Sequence, residues 1–281
     1  MKREDYASKE NYAYLNGTLL GVRVGDAALK NGNHVINLNV QTQHGDNRIN
    51  NPVVMFTTDE KVLEQYRNLD DTIKANIAAR QEGKEPKFTD IEVEGIPNGT
   101  KDSRQLSVLA KPEDVRLSED RMEFKLDKGD AASMAIITGN IARVTNHPDH
   151  KFVELEIGVN YGKRSFFPKF NVNDNGGDSV HAKAEKALYD ALVSGEYGKG
   201  DKIKVSGRIE PDVYEKKAGE NAGEKVYGSK VAVYGSELLE SKAAKRESEA
   251  SKAAQSQAEK PAVKQEAGKQ VKSRRGRKAG V

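Results

Sequence analysis

The stretch Lys202-Ile-Lys204-Val-Ser206-Gly-Arg208-Ile209 alternates polar, mostly cationic residues with branched apolar ones. In an extended chain Lys202, Lys204, Ser206 and Arg208 therefore share one side, and Ile203, Val205 and Ile209 the other. A second alternation, over residues 163–171, puts Lys163, Ser165, Phe167, Lys169 and Asn171 on a common face. Cations at every second residue can hold a row of phosphates, and an aromatic ring among them offers a plane for a flat heterocycle. Arg143 extends the same basic strip, and Tyr161 and Tyr214 fall in expected loops on either side. Two features work against it: Glu154 and Glu156 point outward among the cations, and Pro168 has no N–H to donate, so the register can shift there. The bland alternative is a solvated lysine face with Phe166, Phe167 and Phe170 all in the core.

Other chemistry finds little support. With no Cys there is no thiolate nucleophile, zinc thiolate or disulfide. His147-Pro-Asp-His150 places two imidazoles three apart with no evident third ligand, and reads as a plain loop. Gly195-Glu-Tyr-Gly-Lys-Gly200-Asp-Lys has the glycines of a phosphate loop without its Gly-Lys-Ser/Thr ending, and follows a helical pattern instead of opening one; it reads as a helix stop and turn. No catalytic residue, metal or cofactor is expected.

The elements needed to position the strip occur twice in 240 residues. In the second copy, strands are expected over 135–146, 152–160 and 163–172. An Asn-Asp-Asn-Gly-Gly-Asp-Ser cap signal then precedes a helix with Val180, Ala184, Ala187, Leu188, Ala191 and Leu192 at helical spacing, stopped at Gly195. Strands 202–210 and 225–234 follow. The first copy runs 12–24, 34–41 and 52–56, then a helix opening at Thr57 with Glu60 in a capping-box pattern, with Val62, Tyr66, Leu69, Ile73 and Ile77 on one face. Strands over 88–96 and 104–117 complete it. Three strands, a helix and two strands is the element order of the five-stranded Greek-key OB barrel. Glycines recur at matching places, Gly17 with Gly139 and Gly95 with Gly207, where a small barrel bends sharply. The expected fold is all-β with one helix per domain: an OB-like domain over 1–130, a second over 134–240, and a disordered basic tail over 241–281.

The net charge of +3 hides that division. Residues 241–281 hold 12 Lys and Arg against 4 Asp and Glu, so the remaining 240 residues are net acidic. The tail lacks aromatic residues and cannot bury enough surface to offset chain entropy. Its tip, with Arg274, Arg275 and Arg277, suits non-specific attachment to a polyanion through counterion release. In strand four of the first copy, Asp90, Glu92 and Glu94 stand where the second copy is basic, so that domain is expected either to bind weakly through another surface, using residues such as Asn37, Asn39, Gln41, Arg48 and Tyr14, or to serve domain pairing.

The second copy resembles the single-stranded DNA-binding proteins of bacteria and their phages, through Gly139-Asn-Ile-Ala-Arg143, Phe152-Val-Glu-Leu-Glu-Ile-Gly-Val159 and above all Lys199-Gly-Asp-Lys-Ile-Lys-Val-Ser-Gly207-Arg-Ile209. The resemblance covers residues 134–240. It implies sequence-tolerant binding of single-stranded DNA, or of RNA, during replication, recombination or repair, with homo-oligomers and replication or recombination proteins as partners. Bases would stack on Phe167, Tyr161 and Tyr214, while Arg143, Lys163, Lys169, Lys202, Lys204 and Arg208 hold phosphates. The chain departs from the family in having no Trp and in ending on a basic tip, so stacking falls to Phe and Tyr and the partner-recruiting acidic tip is not carried over. The N-terminal residues lack the apolar run of an export signal and no segment suits a membrane, which makes the cytoplasm of a bacterial or phage-infected cell the expected location. The alternative is an OB-fold protein-interaction module in a replication or structural assembly.

Overall fold

A computed structural model describes residues 10–44, 47–84, 88–99, 106–118, 133–161, 164–215, 223–242 and 244. The first barrel is built from β1 (Tyr12–Val24), β2 (His34–His44), β3 (Asn47–Thr57), β4 (Thr89–Asn98) and β5 (Ser107–Ala110), with α1 (Glu60–Gln81) between β3 and β4. β1 pairs antiparallel with both β2 and β4, β2 with β3, and β4 with β5; β3 and β5 pair in parallel, which closes the ring. This closed order, with the helix after the third strand, is the OB fold. Ile36, Leu38 and Val40 of β2 are buried inside, whereas Asn37 and Asn39 point out, as the alternation requires. Leu63 and Tyr66 of α1 plug the barrel.

The last strand of this copy is not continuous. A 3-10 turn at Pro112–Asp114 divides it into β5 and β6 (Val115–Ser118), and β6 pairs further along β4. Pro112 cannot donate to a ladder, so the strand breaks there. The helix start also differs from the capping-box expectation. Thr57 still belongs to β3, paired with His34, and Asp59 is the N-cap, its side chain accepting from the Lys61 N–H at 2.9 Å.

The second barrel repeats the order with β7 (Ser133–His147), β8 (Phe152–Tyr161), β9 (Arg164–Phe166), β10 (Lys169–Asn173), α2 (Val180–Ser194), β11 (Lys202–Glu215) and β12 (Lys225–Glu240). β7 pairs with β8 and β11, β8 with β9 and β10, and β11 with β12. β10 lies beside β12 at the seam. The Ser179 side chain caps α2, accepting from the Ala182 N–H at 3.1 Å, and Gly195 ends it at φ +80°. Pro168 interrupts the third strand without moving its register: Phe166 faces Val159 and Phe170 faces Leu155, so one offset holds throughout. The expected register shift is absent because the Pro168 carbonyl still accepts from the Ile157 N–H. β11 and β12 also continue beyond their expected ends as a two-stranded ribbon to the Glu215–Lys225 pair.

The four matched glycines share one physical reason. A Cβ on Gly17 would lie 2.1 Å from the Gln41 carbonyl oxygen, and on Gly139 2.3 Å from that of Gly158; each is a first strand crossing over the second. On Gly95 it would lie 2.5 Å from the Leu109 oxygen, and on Gly207 2.0 Å from the Ala232 oxygen, each a fourth strand against the fifth. No side chain fits between backbones this close.

Both barrels lie within the compact unit that ends at Lys242. The N-terminal end of β1 pairs antiparallel with that of β7, with Ala13 opposite Ala135, Tyr12 opposite Ile136 and Tyr14 opposite Met134. Counting back from Gly17 and Gly139, Ala13 and Ala135 are equivalent positions, so their pair lies on a local twofold relating the copies. Tyr12, Tyr14, Met134 and Ile136 form a small buried cluster over this junction, while the main core runs unbroken from one barrel to the other.

Candidate nucleic-acid interface

On the outside of the second barrel, three neighbouring strands set up one row. Asn140 of β7 is opposite Lys202 of β11 on one side and Gly158 of β8 on the other. Directly opposite residues in an antiparallel pair share a face. Phe167 continues this row above Gly158: a Cβ there would meet the Phe167 Cε1 at 3.2 Å. The glycine thus lets the ring settle onto the β8 backbone. Phe166 and Phe170 are in the core and Phe167 is half-buried on the opposite side, so the alternation separates one aromatic from the other two. Lys204, opposite Thr138, continues the strip along β11.

One row further, Arg143, Glu156 and Lys169 stand side by side on β7, β8 and β10. These cations are paired. The Arg143 guanidinium lies 3.2 Å from Glu154 and 3.5 Å from Glu156, and the Lys169 ammonium 3.7 Å from Glu154. Arg143 is 56% exposed and Lys169 40%, whereas Glu154 and Glu156 are only 23% and 20% exposed, so the four charges form a partly exposed cluster. Arg208 is more committed: it pairs with Glu210 and lies 5.7 Å from the Tyr234 ring, which in turn stacks on His181.

The two tyrosines lie in strands, not loops. Tyr161 ends β8, stacks on Phe166 at 5.6 Å and donates its hydroxyl to the Pro97 carbonyl of the first barrel at 3.0 Å. Burial holds this phenol in its neutral form well above the usual range. Its ring and hydroxyl therefore join the barrels. Tyr214 is part of the β11–β12 ribbon, opposite Val226. Lys163, Arg274, Arg275 and Arg277 lie outside the described residues, as does the expected tail beyond residue 244.

The acidic face of β4 in the first barrel has partners that the sequence pattern did not reveal. Glu92 accepts from the Tyr14 hydroxyl and Glu94 from the Tyr12 hydroxyl, both at 2.8 Å, and Arg116 of β6 lies 3.2 Å from Glu92 and 3.8 Å from Glu94. Asp90 accepts from Thr18. Glu92 and Glu94, through Tyr14 and Tyr12, thus brace the junction where β1 meets β7. The turn read as a helix stop is held by Asp201, a buried carboxylate that accepts from the N–H groups of Gly198 and Lys242.

Three residues on this surface were not among those expected. Asn140 completes the row beneath Phe167; the only sequence signal is its place beside Gly139. His147 and Phe152 face each other across the last pair of the β7–β8 ladder. Alternation marks Phe152 as outward, but its ring partner lies across a turn. Among the described residues no group of three His, Asp or Glu is placed to hold a metal ion, and no helix is long and apolar enough to cross a membrane.

No family model and no curated protein matches the chain. Among solved structures, the wild-type single-stranded DNA binding protein of Thermus aquaticus is similar at 18% identity, over 82% of this chain and 93% of that one, with a TM-score of 0.48. The mitochondrial single-stranded DNA binding protein Rim1 of S. cerevisiae is similar at 13% identity over 38% of this chain and 94% of its own, with a TM-score of 0.27. A Replication Protein A heterotrimer bound to ssDNA is similar at 11% identity over 92% of this chain and 56% of that one, with a TM-score of 0.23.

Proposed function

We propose that the chain binds single-stranded DNA by equilibrium association, without reading sequence, through the outer face of the second barrel. The observation that carries this is the cross-strand row of Lys202, Asn140 and Gly158 with Phe167 seated over the glycine. In this reading Phe167 serves as the stacking ring and Lys202 as the neighbouring cation, beside Arg143 and Lys169, whose ion pairs are partly exposed. Stacking tolerates any base because each has a π-face, and phosphates supply affinity independent of sequence. Lys202, Lys204, Arg143 and Lys169 would hold phosphates, and the basic tail would add salt-sensitive attachment. The first barrel would serve chiefly to brace the second. Such a protein suits strands exposed in replication, recombination or repair, in the cytoplasm of a bacterial or phage-infected cell, acting with copies of itself and with replication or recombination proteins.

The test is a titration of labelled oligo-dT, single-stranded RNA and duplex DNA with the full chain at two salt concentrations. The expected result is a preference for oligo-dT over duplex that persists as salt rises. Equal affinity for duplex and single strand, vanishing together at the higher salt, would reduce the activity to the tail's charge. It would then favour the protein-interaction reading for the barrels.

A further inference from the structure

At the far end of the same face, the His147 imidazole and the Phe152 ring are stacked with centroids 4.5 Å apart and planes 20° from parallel. His150 adds a third ring, 6.3 Å from Phe152 at 29°. The connection between them is a tight one: a 3-10 turn over Pro148–His150, then Lys151 in the left-handed region at φ 53°. Two backbone bonds lock it, from the Lys151 N–H to the Pro148 carbonyl and from the Asp174 N–H to the Lys151 carbonyl. The rings are thus presented by a rigid turn tied to the end of β10.

Nothing in the barrel interior requires them. Val153, its neighbour, is buried in the core, whereas Phe152 points to the outer face, half-buried, with its ring against that of His147. A phenylalanine placed outward forgoes favourable burial, and stacking it on histidines instead of aliphatic residues yields a short column of rings that forms a polar-edged surface. That surface continues the strip, since His147 and Phe152 share a face with Thr145 and Glu154, and next with Arg143, Glu156 and Lys169. From Phe152 to Gly158, where Phe167 sits, β8 spans six residues, about 20 Å at strand rise. That length suits the lower end of the roughly 4–16 nucleotides an OB fold covers.

We propose that His147 and Phe152, flanked by His150, form a second stacking platform that takes an unpaired nucleobase at the opposite end of the face from Phe167. The platform rests on the single-strand reading above and sets its footprint: one base on Phe167, one on the His147–Phe152 pair, and phosphates between them on Arg143 and Lys169. The base adds to the His147–Phe152 stack as a further ring, and Lys151 at the turn tip suits the phosphate that leaves the platform.

The probe is a set of short oligo-dT strands carrying 2-aminopurine at successive positions, bound to the full chain and to the Phe152→Leu and His147→Asn variants. In the wild type, fluorescence should be quenched at two separated positions. Phe152→Leu should remove one quench and lower affinity roughly tenfold, with the thermal midpoint kept within a few degrees; Phe167→Ala should remove the other. If Phe152→Leu proves unstable, His147→Asn carries the test, because Asn keeps a polar group without the ring plane. Two quenched positions that survive both platform variants would overturn the platform and leave the single-strand reading intact. Binding by the wild type without a second quenched position would likewise overturn the platform, whereas absence of any binding would overturn that reading itself.

Discussion

Tyr14 donates its hydroxyl to Glu92 at 2.8 Å, and at the equivalent place in the second barrel Lys204 takes the position of Glu92. Glu92 is opposite Asn16 in β1, and Lys204 is opposite Thr138 in β7, the residues just before the matched glycines. One repeat uses this site to brace the junction, and the other keeps a cation on the outer face. The two copies have diverged in charge while retaining the same ladder.

Removing that hydroxyl isolates the brace. Tyr14→Phe should cost about 1.5–3 kcal/mol, the range for a hydrogen bond to a charged group, read as a lower urea midpoint. Oligo-dT affinity should stay within about twofold, since the contact is away from the proposed strand path. A large loss of affinity with unchanged stability would place Tyr14 in the binding surface instead.

The close strand crossings predict which glycines are irreplaceable. Gly17→Ala and Gly207→Ala each drive a methyl to about 2 Å from a carbonyl oxygen and should destabilise the fold severely, by more than about 3 kcal/mol. Gly176→Ala, with open space around its Cβ, should leave the thermal midpoint nearly unchanged. Comparable melting curves for the three variants would contradict the barrel geometry.

Glu154 and Glu156 compete with phosphate for Arg143 and Lys169. The double substitution Glu154→Gln and Glu156→Gln should tighten oligo-dT binding several-fold and steepen its salt dependence, because each freed cation adds to counterion release. Weaker binding in a titration across salt would mean that the carboxylates order the site instead of screening it.

Much of the fold is legible in the sequence, for physical reasons that differ by residue. Strict alternation separates Phe167 from Phe166 and Phe170, and the repeated glycines mark where strands cross. The role of Tyr161 was not readable, because its partner, the Pro97 carbonyl, is 64 residues away and belongs to the other barrel. The acidic face of β4 is legible as charge, but its partners are not, because Tyr12, Tyr14 and Arg116 reach it from other strands. His147 reads as a loop residue in the sequence because its stacking on Phe152 exists only once the β7–β8 turn closes.

Tyr66, buried on α1, has its phenol pushed up to about 12 by burial. An unfolded tyrosine ionises near pH 10. Between these values the folded state holds a proton that the unfolded state has released, so stability present below pH 10 falls as pH rises towards 12. Urea unfolding of the wild type should show this decline, and Tyr66→Phe should flatten it; an identical alkaline slope in both would remove Tyr66 as the cause.

The most direct measurement is photo-cross-linking of the full chain to a 5-iodouracil-substituted oligo-dT, with the attached peptides mapped by mass spectrometry. The account predicts adducts on the outer face of the second barrel, at Phe167 and near His147 and Phe152. Adducts confined to residues 241–281 or to the first barrel would contradict it.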